Sequence, residues 1–241
     1  MAVNRVYELL QFVDDLVPQH LYIPSVVTRA ARYMSDTCTP PSFPYKIDNV
    51  DLSNVLFWEA AIIIFLQPFI WNCIARLEYY TRILSKVFIK PIIGVYVLAL
   101  WIFVAGLYRD ALFVEAMKNQ DTVNYMDSIL YRGFGFSCIT LGMVLVFSSF
   151  YQLGVTGTFL GDYFGMLMSE RVTAFPFNVF EHPMYDGSTL AFLGKAVLAR
   201  SPAGVLLSMW VYIVYRTASM FEGSFTEYIY AKRDEDKEKT Q

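Results

Sequence analysis

VFIKPIIGVYVLALWIFVAGLY, residues Val87–Tyr108, decides how the rest of the chain is read. It is long, apolar and aromatic. Three other runs share its character: Val55–Ala75 (VLFWEAAIIIFLQPFIWNCIA), Gly133–Leu153 and Ala203–Phe221. Each supplies the ~20 residues that carry a helix across a ~30 Å hydrocarbon layer. Inside lipid the backbone must satisfy its own polar groups, which a helix does within one segment. No ten-residue stretch alternates apolar and polar residues as a membrane barrel requires. The four runs therefore predict an all-α, polytopic integral membrane protein.

Composition points the same way. Of 241 residues, 56% are hydrophobic and 17% aromatic, and the mean hydropathy is +0.40. Ordinary soluble domains hold ~45–50% apolar residues even with glycine counted. A soluble fold would have to expose the surplus as large apolar patches. The net charge is −3 and no Lys/Arg stripe interleaves with the aromatics, which excludes a basic nucleic-acid binder. Cys38, Cys73 and Cys138 lie far apart, so neither a disulfide framework nor a CxxC zinc site is expected. His20 and His182 are the only histidines, and no metal is expected. The N-terminus lacks a basic segment followed by an apolar one, so no cleaved signal peptide is expected.

The first run departs from the other three. Glu59 and the pair Gln67-Pro68 lie inside it, and a charge near the bilayer centre costs at least ~2.5–3.5 kcal/mol. Trp58 and Trp71 read as interface anchors. The expectation is three transmembrane helices plus one re-entrant or intramembrane helix from the first run. That count puts the loop after Tyr108 on the same side as the C-terminal tail. Residues 1–50 read as a membrane-surface extension, 51–230 as the helical membrane domain and 231–241 as a charged tail. Flanking charge barely decides the orientation: Arg76, Arg82, Lys86 and Lys90 follow the first run, and Arg109, Lys118 and Arg132 follow the second. The tail, AKRDEDKEKTQ, fits a cytosolic end. Its last five residues, from Lys237, resemble an endoplasmic-reticulum retrieval signal, and an ordinary solvated tail is the plainer reading.

Polarity returns between the third and fourth runs, in GVTGTFLGDYFGMLMSERVTAFPFNVFEHPMYDGST, residues 154–189. Gly154, Gly157, Gly161 and Gly165 fall on one face of a helix. Their spacing suits close helix packing better than a bare backbone for a ligand. A lone histidine is usually structural, but His182 adjoins Glu181 and Pro183 in a loop beside the membrane, where ionisable groups are functional candidates. Ser188-Thr189 reads as the cap of a short helix, 190–198, with Lys195 and Arg200 snorkelling to the interface.

The segment 148–189 resembles the central block of the phospholipid N-methyltransferase family through its elements GTFLGDYFG, FPFN and PMYxGST. The similarity extends through PFIWNCIARLEYYTR, SPAGVLLSMWVYIVY and FTEYIYAKRD, and covers roughly residues 55–233. It implies an enzyme of the endoplasmic-reticulum membrane, or of a mitochondrial membrane, that uses S-adenosylmethionine as methyl donor. Its acceptors would be phosphatidyl-N-methylethanolamine and the dimethyl form, with phosphatidylethanolamine a weaker one, giving phosphatidylcholine. The family's cofactor motif Gly-x-Gly falls on Thr140-Leu141-Gly142, and its Glu-Glu pair on Glu222-Gly223. Leu141, Gly142 and Glu222 carry over; the first glycine and the second glutamate are replaced. His182-Pro-Met-Tyr185 resembles an element of wider membrane methyltransferases, which adds His182 and Tyr185 on the cofactor side.

Methyl transfer mainly needs two reactants held in near-attack geometry, with neither metal nor covalent nucleophile. A lipid ammonium must first lose a proton. If its pKa resembles that of lysine, ~10.4, this costs roughly 4–5 kcal/mol at neutral pH. His182, Glu181 and Asp162 are the candidate proton acceptors. Tyr163, Phe164 or Tyr185 would hold the quaternary product by cation–π contact, and Arg171 would meet the lipid phosphate. Two other readings compete. An isoprenylcysteine-carboxylate methyltransferase would share the His-Pro-x-Tyr element but lack GTFLGDYFG. A non-enzymatic lipid-binding protein would account for the altered Thr140 and Gly223 positions.

Overall fold

The computed structural model describes residues 46, 47, 49–169 and 172–239. Nearly all of the expected surface extension, and Arg171, lie outside the described residues. A minimal antiparallel hairpin of β1 (Lys46–Ile47) and β2 (Val50–Asp51) leads into six helices. These are α1 (Val55–Thr81), α2 (Ile83–Val87), α3 (Pro91–Lys118), α4 (Ile129–Thr158), α5 (Pro183–Leu198) and α6 (Pro202–Lys239). Short 3-10 turns precede α4, at Asn124–Asp127, and follow it, at Gly161–Phe164.

Among the described residues, four helices are long and apolar enough to cross a membrane: α1, α3, α4 with the turn that follows it, and α6. The first run is one continuous helix of 27 residues, ~40 Å at 1.5 Å per residue. It passes through Pro68 without the reversal that a re-entrant segment needs, and lies antiparallel along α3. Asn54 Nδ2 donates to Asn119 O at one end (2.8 Å), and Gln67 Nε2 donates to Ile102 O midway (3.1 Å). Trp58 is exposed, but Trp71 is only 7% exposed and turns inward, so it is not an interface anchor. Ile62, Phe65, Phe103 and Phe147 face outward, where lipid would solvate them.

Local chemistry explains the helix ends. Asn54 caps α1, accepting from Leu56 N at 2.9 Å, and Pro91 opens α3 where a missing N–H costs nothing. At the far end of α1, Arg82 takes a left-handed conformation (φ 56°). Glu78, 1% exposed, accepts from Leu84 N (2.7 Å), Ser85 N (3.2 Å) and the Ser85 hydroxyl. Its carboxylate satisfies the N–H groups that the first turn of α2 leaves unpaired.

The polar stretch before α6 holds more helix than the sequence suggested. Helix α5 begins at Pro183, not at residue 190, with His182 in the N-cap position. It runs antiparallel along α4 on a glycine seam. A Cβ on Gly187 would sit 2.6 Å from Gly142 O, and one on Gly194 would sit 2.6 Å from Gly135 O. Each helix thus contributes two glycines seven residues apart. The expected face of Gly154, Gly157, Gly161 and Gly165 does not form, because α4 breaks at Gly154 (φ 61°) and ends at Thr158. Lys195 pairs with Asp110 (3.4 Å) and Arg200 with Asp127 (3.3 Å), so both are tied to neighbouring segments.

The return leg made by α5 changes the topology. Val123 N donates to Arg200 O (3.0 Å), which brings the α3–α4 loop to the start of α6. At the other end Arg233 donates to Met168 O (3.1 Å) and Thr226 to Asp162 (2.7 Å). The α3–α4 loop and the end of α6 therefore lie at opposite ends of the bundle, a correction to the same-side expectation. Single cysteines at Asn119 and Glu238 should be labelled by an impermeant maleimide from opposite faces of sealed microsomes. Labelling of both from one face would refute the arrangement.

Candidate active site

Glu222, midway along α6, is held by three donors from two other helices. Its Oε1 accepts from Trp71 Nε1 and Asn72 Nδ2, each at 2.7 Å, and its Oε2 accepts from the Tyr185 hydroxyl at 2.6 Å. The Tyr185 ring leans on Tyr215 (4.9 Å). Tyr215 accepts from Arg109, which pairs with Asp110 at 2.8 Å. This polar chain links the site to the interior between α3, α5 and α6.

One helix turn beyond Glu222 along α1, Arg76 donates to Phe221 O (2.8 Å) and lies 5.0 Å from the centre of the Phe225 ring. Tyr163, fully buried, stacks on the same ring at 5.0 Å. Three buried polar atoms around the carboxylate have no hydrogen-bond partner among the described residues: Asn72 Oδ1, Arg76 Nε and the Tyr163 hydroxyl. Buried polar atoms are normally paired, so three orphans around one carboxylate mark a place for a polar ligand.

The sequence candidates divide over this geometry. Glu222 and Tyr185 are in direct contact, and Tyr163 lies nearby. His182 borders Gly223, where a Cβ would lie 4.0 Å from its Cε1. Asp162 stands on the other side of Tyr163, bonded to Thr226, and Glu181 is exposed on the loop before α5. Leu141 and Gly142 are not brought to Glu222: Leu141 is 59% exposed on the outer face of α4, and Gly142 is spent on the seam with α5. Phe164 is core, 3% exposed and packed against Gly94. From the sequence Trp71 reads as an interface anchor and Arg76 as a flanking charge, and neither they nor Asn72 stand out as site residues. The available signal was Asn72 and Arg76, four residues apart and so on one helix face, at the end of an apolar run.

Gly223 is open to substitution, since its φ is not positive and, among the described residues, an added Cβ would come within 4.0 Å of His182 alone outside its own helix. Gly223→Glu should fold as the parent does and place a second carboxylate beside His182. The dissociation constant of S-adenosylmethionine should then stay unchanged or fall. Weaker binding by the folded variant would contradict this.

Fold and site together define a polytopic helical membrane protein with a cluster of polar side chains around Glu222 near one end of its bundle. Residues 130–233 match the phospholipid methyltransferase family. The chain is 45% identical to a phosphatidyl-N-methylethanolamine N-methyltransferase of Saccharomyces cerevisiae, over 79% of this chain and 93% of the relative. It is also 45% identical to the enzyme of that name in Emericella nidulans (80% and 94% covered). It is 42% identical to a human phosphatidylethanolamine N-methyltransferase (76% and 92%). No solved structure matches the chain. The chain belongs to the phospholipid methyltransferase family.

Proposed function

We propose that the chain is an S-adenosylmethionine-dependent phospholipid N-methyltransferase that converts phosphatidyl-N-methylethanolamine and its dimethyl form to phosphatidylcholine. Its membrane is the endoplasmic reticulum, with the C-terminal end of α6 in the cytosol. The observation that carries the reading is the set of orphaned polar atoms around Glu222 inside an otherwise apolar bundle. The relatives, named for ethanolamine lipids, favour it over an isoprenylcysteine methyltransferase.

The residues present fit the methyl donor. Arg76 Nε suits a carboxylate, and Asn72 Oδ1 with the Glu222 carboxylate suits an ammonium. S-Adenosylmethionine, when bound, supplies a methyl group on a sulfonium, whose carbon–sulfur bond gives its electron pair to sulfur. Glu222 adds negative charge on the cofactor side. Asp162 takes the proton that the lipid ammonium must release, which frees the nitrogen lone pair for the new carbon–nitrogen bond. The surrounding apolar helices exclude water and strengthen each of these interactions.

The test uses purified protein in lipid–detergent micelles with methyl-labelled S-adenosylmethionine and each acceptor separately. Label should enter phosphatidylcholine from the mono- and dimethyl lipids, and more slowly from phosphatidylethanolamine. If protein that binds the methyl donor labels none of them, the non-enzymatic lipid-binding reading replaces this one.

A further inference from the structure

An open cleft of about 660 Å³ adjoins the site at the C-terminal end of α6, lined among others by Tyr79, Arg82, Asp162, Tyr228 and Lys232. Two cations converge on one ring: Arg82 Cζ lies 5.8 Å and Lys232 Nζ 6.0 Å from the centre of Tyr79. The cleft sets Arg82, Lys232, Arg233 and Lys237 against Asp162 and Asp236, an excess of positive charge that favours an anion. Arg82 is aimed by its own hydrogen bond, Nη1 donating to Tyr163 O at 3.2 Å, which leaves guanidinium donors for the cleft. The same cleft carries the Asp162 carboxylate, fixed by Thr226 at 2.7 Å. Cations and a carboxylate in one cleft suit a small zwitterion that carries both an anion and an amine.

We propose that this cleft takes the head group of a zwitterionic phospholipid, its phosphate between Arg82 and Lys232 and its amine facing Asp162. The inference rests on the methyltransferase reading and adds to it the residues that recognise the lipid. The phosphate role expected of Arg171 then passes to Arg82, in the turn after α1, and Lys232 of α6. Behind Asp162 lies the buried Tyr163, whose hydroxyl is within the field of Arg76 and Glu222 and so joins the cleft to the cofactor side. Phosphate and amine groups thus both find partners in the cleft, and the Tyr228 ring that lines it suits a methylated ammonium.

The test compares wild type with Lys232→Gln, Arg82→Gln and the double variant on two acceptors. One is phosphatidyl-N-methylethanolamine. The other is a neutral diacylglycerol ether bearing the same N-methylaminoethyl group without phosphate. Each substitution should raise KM for the phospholipid about ten-fold, and both together about a hundred-fold, the scale of a lost charge-assisted hydrogen bond. Turnover at saturation, KM for the phosphate-free acceptor and S-adenosylmethionine affinity should stay within about two-fold by the same scale. Lys232 is exposed, so its variant folds even if Arg82→Gln disturbs the turn after α1. An unchanged phospholipid KM, an equal rise for the phosphate-free acceptor, or a matching loss of S-adenosylmethionine affinity overturns the proposal. The last of these would mean that the cations serve the methyl donor's carboxylate. If wild type methylates neither lipid, the methyltransferase reading fails. Direct titration of dimethyl-phospholipid into wild type and Lys232→Gln then still decides the phosphate site.

Discussion

Asp162→Asn slows methyl transfer at pH 7 by about a hundred-fold or more, the usual worth of a general base, and leaves S-adenosylmethionine binding intact. Asparagine keeps an oxygen that accepts from Thr226, so the bond at 2.7 Å and the local fold persist. Only the ability to take a proton is lost. The variant must therefore wait for lipid that is already deprotonated. Below an amine pKa of ~10.4 that fraction grows ten-fold per pH unit. Its turnover should climb with a slope near one between about pH 7 and pH 9.5, while wild type rises less steeply. The measurement is kcat against pH for both proteins on phosphatidyl-N-methylethanolamine. Equal turnover at pH 7, or parallel profiles, would reduce Asp162 to a structural partner of Thr226 and move the base to His182.

The long helices were legible because hydrocarbon imposes a length and a composition that few other constraints mimic. Helix α5 was not. Its sequence, PMYDGSTLAFLGKAVL, is only 16 residues and carries Asp186 and Lys195, so it has no membrane-span signature. What fixes it is the seam with α4. Gly135 and Gly142 lie seven apart, as do Gly187 and Gly194, but the match appears only once the two helices are set antiparallel. Missing that leg misplaced the end of α6 relative to the α3–α4 loop.

The site was half legible for a related reason. Trp71 has the amphipathic ring that favours an interface, yet its N–H is claimed by a carboxylate 151 residues away. The apolar run stops at Phe221, one residue before Glu222, whereas α6 continues to Lys239. The charged tail residues are good helix formers, and they carry Lys232 and Arg233 up beside Asp162 and Met168. Resemblance brought forward Glu222, His182 and Tyr185, which the fold places close to one another. It also brought Leu141 and Gly142, whose backbone space is taken by α5.

Glu222→Gln separates what the carboxylate does for the fold from what its charge does for the ligand. Glutamine can turn its oxygen to Trp71 and Asn72, and its amide can donate to Tyr185 once that hydroxyl rotates to accept. The three contacts survive in neutral form, so the loss of stability should be only ~1–2 kcal/mol, the gap between charged and neutral hydrogen bonds. S-Adenosylmethionine affinity should fall about ten- to a hundred-fold, because a charged partner is worth roughly 1.5–3 kcal/mol and each ~1.4 kcal/mol is ten-fold. Glu222→Ala behaves differently: it strands the Trp71 and Asn72 donors, each at a cost of ~1–3 kcal/mol, and should unfold the α1–α6 contact before binding can be measured. Thermal denaturation in micelles and titration with S-adenosylmethionine, run on all three proteins, separate the two effects. A glutamine variant that binds and turns over like wild type would make Glu222 a clamp between helices, with the ligand's charge met elsewhere in the pocket.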